Sequence, residues 1–127
     1  MKAILRQVRI SPKKANLVAA LVRNKPVVEA TTILKFTTKK AAPIIKKVIE
    51  SAVANAENNL KQNKDNLLIE EIVVTEGPTY KRRQMISRGR AHPILKRTSH
   101  ITVKLGQSTE KEEPTTKEED KEKPTNQ

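Results

Sequence analysis

Eight lysines and arginines lie between Gly77 and Gln107, with no aspartate or glutamate among them. They are Lys81, Arg82, Arg83, Arg88, Arg90, Lys96, Arg97 and Lys104. A solvated hairpin carrying eight like charges would repel itself, so the run makes physical sense when a polyanion surrounds it. Arginine suits that task, because its planar guanidinium grips phosphate through two N–H groups and stacks on exposed bases. Arg82, Arg83, Arg88 and Arg90 flank Met85 and Ile86. Apolar residues inside a basic loop predict a surface that RNA does not wholly cover, or a wedge into it. Phe36 and Tyr80 are the sole aromatics. That scarcity argues against a platform for stacking single-stranded bases. Recognition then rests on shape and phosphate, as structured RNA requires, and Tyr80 is the one aromatic placed to stack.

Two smaller basic groups precede the run. Lys13 and Lys14 follow Ser11-Pro12 in the first turn of an expected helix. That is the wrong end for the helix dipole, which points to a phosphate as their partner. Lys39 and Lys40 open a longer helix, and Lys46 and Lys47 follow on it. All four sit off its apolar stripe, on a solvated face from which phosphate can be met. Other chemistries find little support. His92 and His100 lie eight residues apart with no metal-type spacing to another ligand; His100 reads as a surface or RNA-contacting histidine. Glu70 and Glu71 are adjacent in an expected strand, hence on opposite faces and unable to form a carboxylate pair. Three glycines form no phosphate-binding loop. With no cysteine there is no disulfide framework or cysteine-based zinc site. The chain reads as no enzyme, with no cofactor and no metal site.

The elements that position these residues follow from periodicity. Residues 1–10 read as a strand with Ile4, Val8 and Ile10 on one parity. Ser11 as N-cap and Pro12 at the first helical position open a helix whose Ala15, Val18, Leu21 and Val22 make an apolar stripe at helical spacing. Asn24 ends it and Pro26 starts a second, buried through Val27, Ala30, Ile33 and Leu34. Thr37 or Thr38 is expected to cap a third helix over 39–59, whose apolar residues from Ala41 to Ala56 recur at three and four. Its small residues Ser51, Ala52, Ala54 and Ala56 would let another element approach closely. Residues 67–75 form a β-branched strand, Gly77-Pro78 a bend, and Ile101, Val103 and Leu105 alternate in a final strand. The order β-α-α-α-β-β predicts an α+β fold: three helices on a small antiparallel three-stranded sheet, with a long protruding β-hairpin at about 67–105. Hairpin arms of about 12 residues would reach roughly 40 Å. A bare two-stranded ribbon is marginal in water, so the tip is expected to be mobile alone and ordered by RNA.

The totals agree. The 127 residues suit one small domain. A formal net charge of +12 points to nucleic acid or an anionic membrane. No run is apolar and long enough to span a bilayer, and no signal peptide is evident, so a soluble cytoplasmic protein is expected. Residues 107–127 carry four lysines against seven acids, leaving residues 1–106 with a net +15. The domain is therefore placed at 1–106. Residues 107–127, with no aliphatic or aromatic side chain, read as a disordered charged tail.

Four strings resemble the universal large-subunit ribosomal protein family twenty-two, of bacterial type: SPKKANLVAALVRNK (11–25), KKAAPIIKKVIESAVANAENN (39–59), EGPTYKRR (76–83) and GRAHPILKRTSHITV (89–103). The resemblance spans about residues 3 to 105. It implies a structural constituent of the large ribosomal subunit that binds 23S ribosomal RNA and supports assembly. It implies a hairpin in the wall of the polypeptide exit tunnel, near the macrolide site. Lys81, Arg82, Gly89, Arg90, Lys96 and Arg97 match the family's hairpin, and Ser11 and Lys14 its first-helix motif. Implied partners are 23S ribosomal RNA, neighbouring large-subunit proteins and the nascent polypeptide, with no membrane and no homo-oligomer. The tunnel-facing tip would be Met85, Ile86, Ser87, Arg88, Gly89 and Arg90. Met85, Ile86 and Ser87 stand where the family usually has Pro-Arg-Ala. Asn16 and Asn24 replace a common Arg and Gly, and Pro43 a non-proline residue. A competing reading, a free basic nucleic-acid-binding regulator, needs a recognition helix with base-reading Arg, Asn or Gln, and the third helix offers mainly lysine.

Overall fold

The structure is a computed structural model that describes residues 1–107. The expected charged tail lies outside the described residues from 108 onward. The elements are β1 (Lys2–Val8), α1 (Pro12–Ala20), α2 (Val27–Phe36), α3 (Ala41–Leu60), β2 (Leu67–Glu76), β3 (Tyr80–Met85), β4 (Ala91–Lys96) and β5 (Ser99–Gln107). Single 3-10 turns occupy Lys64–Asn66 and Ser87–Gly89. β5 lies between β1 and β2 in an antiparallel three-stranded sheet, while β3 and β4 pair only with each other. The chain is thus α+β with three helices, but with five strands. The expected continuous hairpin arms are interrupted at 77–79 and 97–98, which divides each arm into a strand of the body sheet and a strand of a separate ribbon.

The helices form where the apolar spacing places them. α3 buries Ala41, Ala42, Ile45, Val48, Ile49, Ala52, Val53 and Ala56, one stripe facing the sheet. Ala52 and Ala56 lie in that packed stripe, while Ser51 and Ala54 remain exposed. The sheet answers with Ile69, Ile72, Ile101, Val103 and Leu105, all buried. Burying an aliphatic side chain contributes about 1.5–3 kcal/mol, so a core with almost no aromatics still holds a domain of this size. α3 begins two residues after its expected start, and neither threonine caps it. The Thr37 hydroxyl instead donates to Ile33 O (2.8 Å) and closes α2. Ser11 does occupy the N-cap of α1 and Pro12 its first turn, but the Ser11 side chain makes no capping bond.

Two β-bulges overturn expected alternations. Gln7 adopts φ 56° and the β1–β5 register shifts between Leu5 and Val8. Ala3 and Val8 therefore both face the core although their parities differ, and Ile4 is left exposed. The second shift lies between Ile69 and Glu71. It lets Ile69 and Ile72 both point inward, so Glu70 and Glu71 stay together outside rather than on opposite faces. Asn24 has φ 58°, a left-handed conformation that asparagine tolerates better than most residues. This also explains why glycine is at home there. From that turn Asn24 N–H donates to Ile69 O and Ile69 N–H to Lys25 O (both 3.0 Å), tying the α1–α2 connection to β2.

Arg23 fastens α1 to the sheet. Its Nε and Nη2 donate to Ile72 O (3.2 and 3.0 Å), and Nη2 also donates to Asn16 Oδ1 (2.7 Å). Truncation to Arg23→Met is expected to cost about 1 kcal/mol, because the carbonyl stays close to solvent. Urea denaturation checks this; an unchanged midpoint would mean the bonds are replaced by water at no cost.

Candidate nucleic-acid interface

Seven of the eight hairpin cations have no carboxylate partner among the described residues. The exception is Lys104, which forms a hydrogen-bonded salt bridge with Glu71 on the neighbouring strand. That hydrogen bond and the charge of Glu71, with a smaller contribution from Glu70, raise the Lys104 pKa above its ordinary value. Lys104 thus balances the acids of the β2 bulge. Lys81, Arg82, Arg83, Arg88, Arg90, Lys96 and Arg97 are all exposed. Among the described residues no ion pair joins Glu76 to Lys81 or Arg82, and Arg82 Nη1 donates to the carbonyl of Lys81 (2.8 Å).

The ribbon pairs Tyr80 with Lys96 at its root and Met85 with Ala91 at its end. Every residue of β3 is exposed, and in β4 only Ile94 is partly covered. The tip closes through Ile86 N–H to Arg90 O (2.8 Å), with Arg88 at φ 60° and Gly89 at φ 73°. Holding arginine in the left-handed region costs on the order of 1 kcal/mol. Such strain clusters at ligand-contacting sites. Met85 is 75% exposed and Ile86 43%, so the two apolar residues stand open at the end of a cationic arm. Lacking a core of its own, the ribbon should open far more readily than the body. In hydrogen exchange, amides of β3 and β4 are expected to exchange orders of magnitude faster than those of β2 and β5. Equal protection would show that the ribbon is stabilised by something other than its ladder.

The root of the ribbon is where separated parts of the sequence meet. Arg9, Ser11, Lys40, Leu95, Lys96 and Arg97 line a groove of about 560 Å³. A second hollow of about 630 Å³ adjoins it, sharing Arg9, Ser11 and Lys40 and adding Lys14 and Lys39. The structure therefore brings Ser11, Lys14, Lys39, Lys40, Lys96 and Arg97 together. Lys13 stays exposed in the first turn of α1 outside both. Neither α1 nor α3 has an acidic residue in its first turn, whereas α2 carries Glu29 there. Lysines beside two positive helix ends are favourable only with an anion nearby.

His100 has a different position. Its Nδ1 accepts the Gln7 N–H (3.0 Å), which anchors the β1 bulge, and its ring edge lies over Gly77. Arg9 is a residue that sequence reasoning passed over. It lines both hollows, and its guanidinium sits 5.7 Å from the Tyr80 ring centroid. The one aromatic of the ribbon is thereby held by a cation–π contact. The available signal was a basic residue two places before the Ser11-Pro12 start.

A small α+β body with a cationic groove, and a two-stranded arm whose arginines have no carboxylate partner among the described residues, is an arrangement that suits a folded polyanion. A family model described as Ribosomal protein L22p/L17e matches residues 3–106, and the chain belongs to that family. It is accordingly a large-subunit ribosomal protein that binds ribosomal RNA, from a structural family rather than an enzyme family. Among the described residues no helix is long and apolar enough to cross a membrane.

Proposed function

We propose that this chain binds 23S ribosomal RNA through the root groove and the ribbon, supports large-subunit assembly in the cytoplasm, and sets the ribbon in the wall of the polypeptide exit tunnel. One observation carries the reading: among the described residues, seven hairpin cations, six of them on the ribbon, have no carboxylate partner, and the ribbon has no core of its own. Ser11, Lys13, Lys14, Lys39 and Lys40 hold RNA at the body, and Lys81, Arg82, Arg83, Arg88, Arg90, Lys96 and Arg97 hold it along the arm. His100 borders that surface at the ribbon root. The tip, Met85 to Arg90, faces the lumen, where the open Met85 and Ile86 meet the nascent polypeptide. Residues 1–106 act as one domain beside neighbouring large-subunit proteins, without forming a homo-oligomer. The exit-tunnel placement is tested with a photocrosslinking amino acid at Ile86 in translating ribosomes. Adducts with the nascent chain are expected; adducts confined to ribosomal RNA or to other proteins would place the tip elsewhere.

A further inference from the structure

We propose that the hollow between α1 and the start of α3 receives one unstacked nucleotide of the ribosomal RNA, its base against two leucines and its phosphates on the surrounding cations. The inference rests on the ribosomal reading and adds a specific site to it.

The hollow has two kinds of lining. Ile10 and Val18 are buried at its base, while Leu17 and Leu21 are 73% and 49% exposed beside them. The apolar stripe of α1 thus runs past the core and ends in the open. Around it stand Arg9, Lys14, Lys39 and Lys40, with no carboxylate in the lining. The Ser11 side chain makes no capping bond and is available as a donor.

Each half alone would be unselective. Cations alone suit any phosphate backbone. Exposed leucines alone suit an apolar side chain of a protein neighbour. Such a neighbour would leave four positive groups crowded around the contact with no counter-charge. Together the halves fit a ligand with a flat, weakly polar body and negative charge a few bonds away, which is a nucleotide. A base within a duplex cannot present its face, so the nucleotide comes from a loop, bulge or end, where bases splay out.

The test uses the full chain, a transcript of large-subunit ribosomal RNA and filter binding across a salt series. The Leu17→Ala/Leu21→Ala variant should bind about tenfold more weakly with an unchanged log–log salt slope, because apolar contact is lost and no ion pair is. Lys14→Ala/Lys40→Ala should instead make the slope shallower. A benzophenone amino acid at position 17, in assembled subunits, should crosslink to one discrete nucleotide. The proposal is overturned by leucine variants that bind like the parent, or by crosslinks that go to a protein or scatter over the RNA. In that event a retained effect of Arg82, Arg88 and Arg90 would leave the ribosomal reading standing. A parent chain that prefers this transcript no more than an unrelated RNA would remove both.

Discussion

Replacing Arg82, Arg88 and Arg90 together by alanine is expected to weaken binding to large-subunit ribosomal RNA about a hundredfold at physiological salt, with no change in melting temperature. The three side chains are exposed and none has a carboxylate partner among the described residues, so removing them costs the fold almost nothing. Each is assigned a charge-assisted contact with phosphate, worth about 1 kcal/mol or more net. Three such contacts give about a hundredfold. Salt dependence separates this from a general loss of fit. If all eight hairpin cations met phosphate, their share of the log–log slope would be about −6 to −7; with Lys104 held by Glu71, a hairpin share of about −5 to −6 is expected, to which the body lysines add. The triple variant should lose about two to three units of that slope. Lys104→Ala is the internal control and should leave the slope unchanged. A triple variant with parental affinity, or a control with the larger effect, would mean that the charges were assigned to the wrong partners.

Gly77→Ala is expected to destabilise the full chain by about 2–3 kcal/mol, near the upper end of what overpacking costs. A Cβ at this position would lie 2.5 Å from Thr98 Oγ1 and 3.2–3.3 Å from the His100 ring. Neither neighbour yields easily. Thr98 is β-branched, 2% exposed, and donates its hydroxyl to Pro78 O (2.6 Å). His100 holds the Gln7 N–H, and Gly77 N–H itself donates to Thr98 O (2.9 Å). These bonds form the joint where the body sheet ends and the ribbon begins. Calorimetry should show a melting temperature lower by about 10–20 °C, from roughly 4–8 °C per kcal/mol in a domain of this size. Thr98→Ala alone should cost about 1 kcal/mol for the lost hydrogen bond. Combined with Gly77→Ala it should cost less than the sum, because the clash is gone. Additive losses, or a Gly77→Ala chain as stable as the parent, would show that the joint has more room than its geometry gives it.

What could be read from the sequence follows from the range of the interactions involved. The helices are set by local spacing, and the apolar stripe from Ala41 to Ala56 names its buried face directly. The strands are set by alternation, which fails wherever a bulge shifts the parity. Nothing in the type of Gln7 marks it for φ 56°, and the pair Glu70-Glu71 hides that both residues stay outside. The hairpin was legible as a basic arm, but its division at Gly77–Thr79 depends on Thr98 and Pro78 meeting across the two strands. Charge was legible as a run without acids. A run, however, does not see across a sheet, so the pairing of Lys104 with Glu71 was hidden, as was the meeting of Arg9 with Tyr80. The candidate site residues legible in the sequence are those whose charge is conspicuous in a short window. Arg9 joins the candidate site only because the chain leaving β1 brings it to the ribbon root.

The most direct test is ultraviolet crosslinking of the chain to RNA in its own cells, with sequencing of the attached RNA and mapping of the attached residues. Dense sites in large-subunit ribosomal RNA are expected, with attachment through the ribbon between Lys81 and Arg90 and through the root groove at Lys14, Lys40 or Lys96. Crosslinks scattered over messenger RNA, or ribosomal crosslinks that avoid both the ribbon and the groove, would contradict the assignment of these cations to ribosomal RNA.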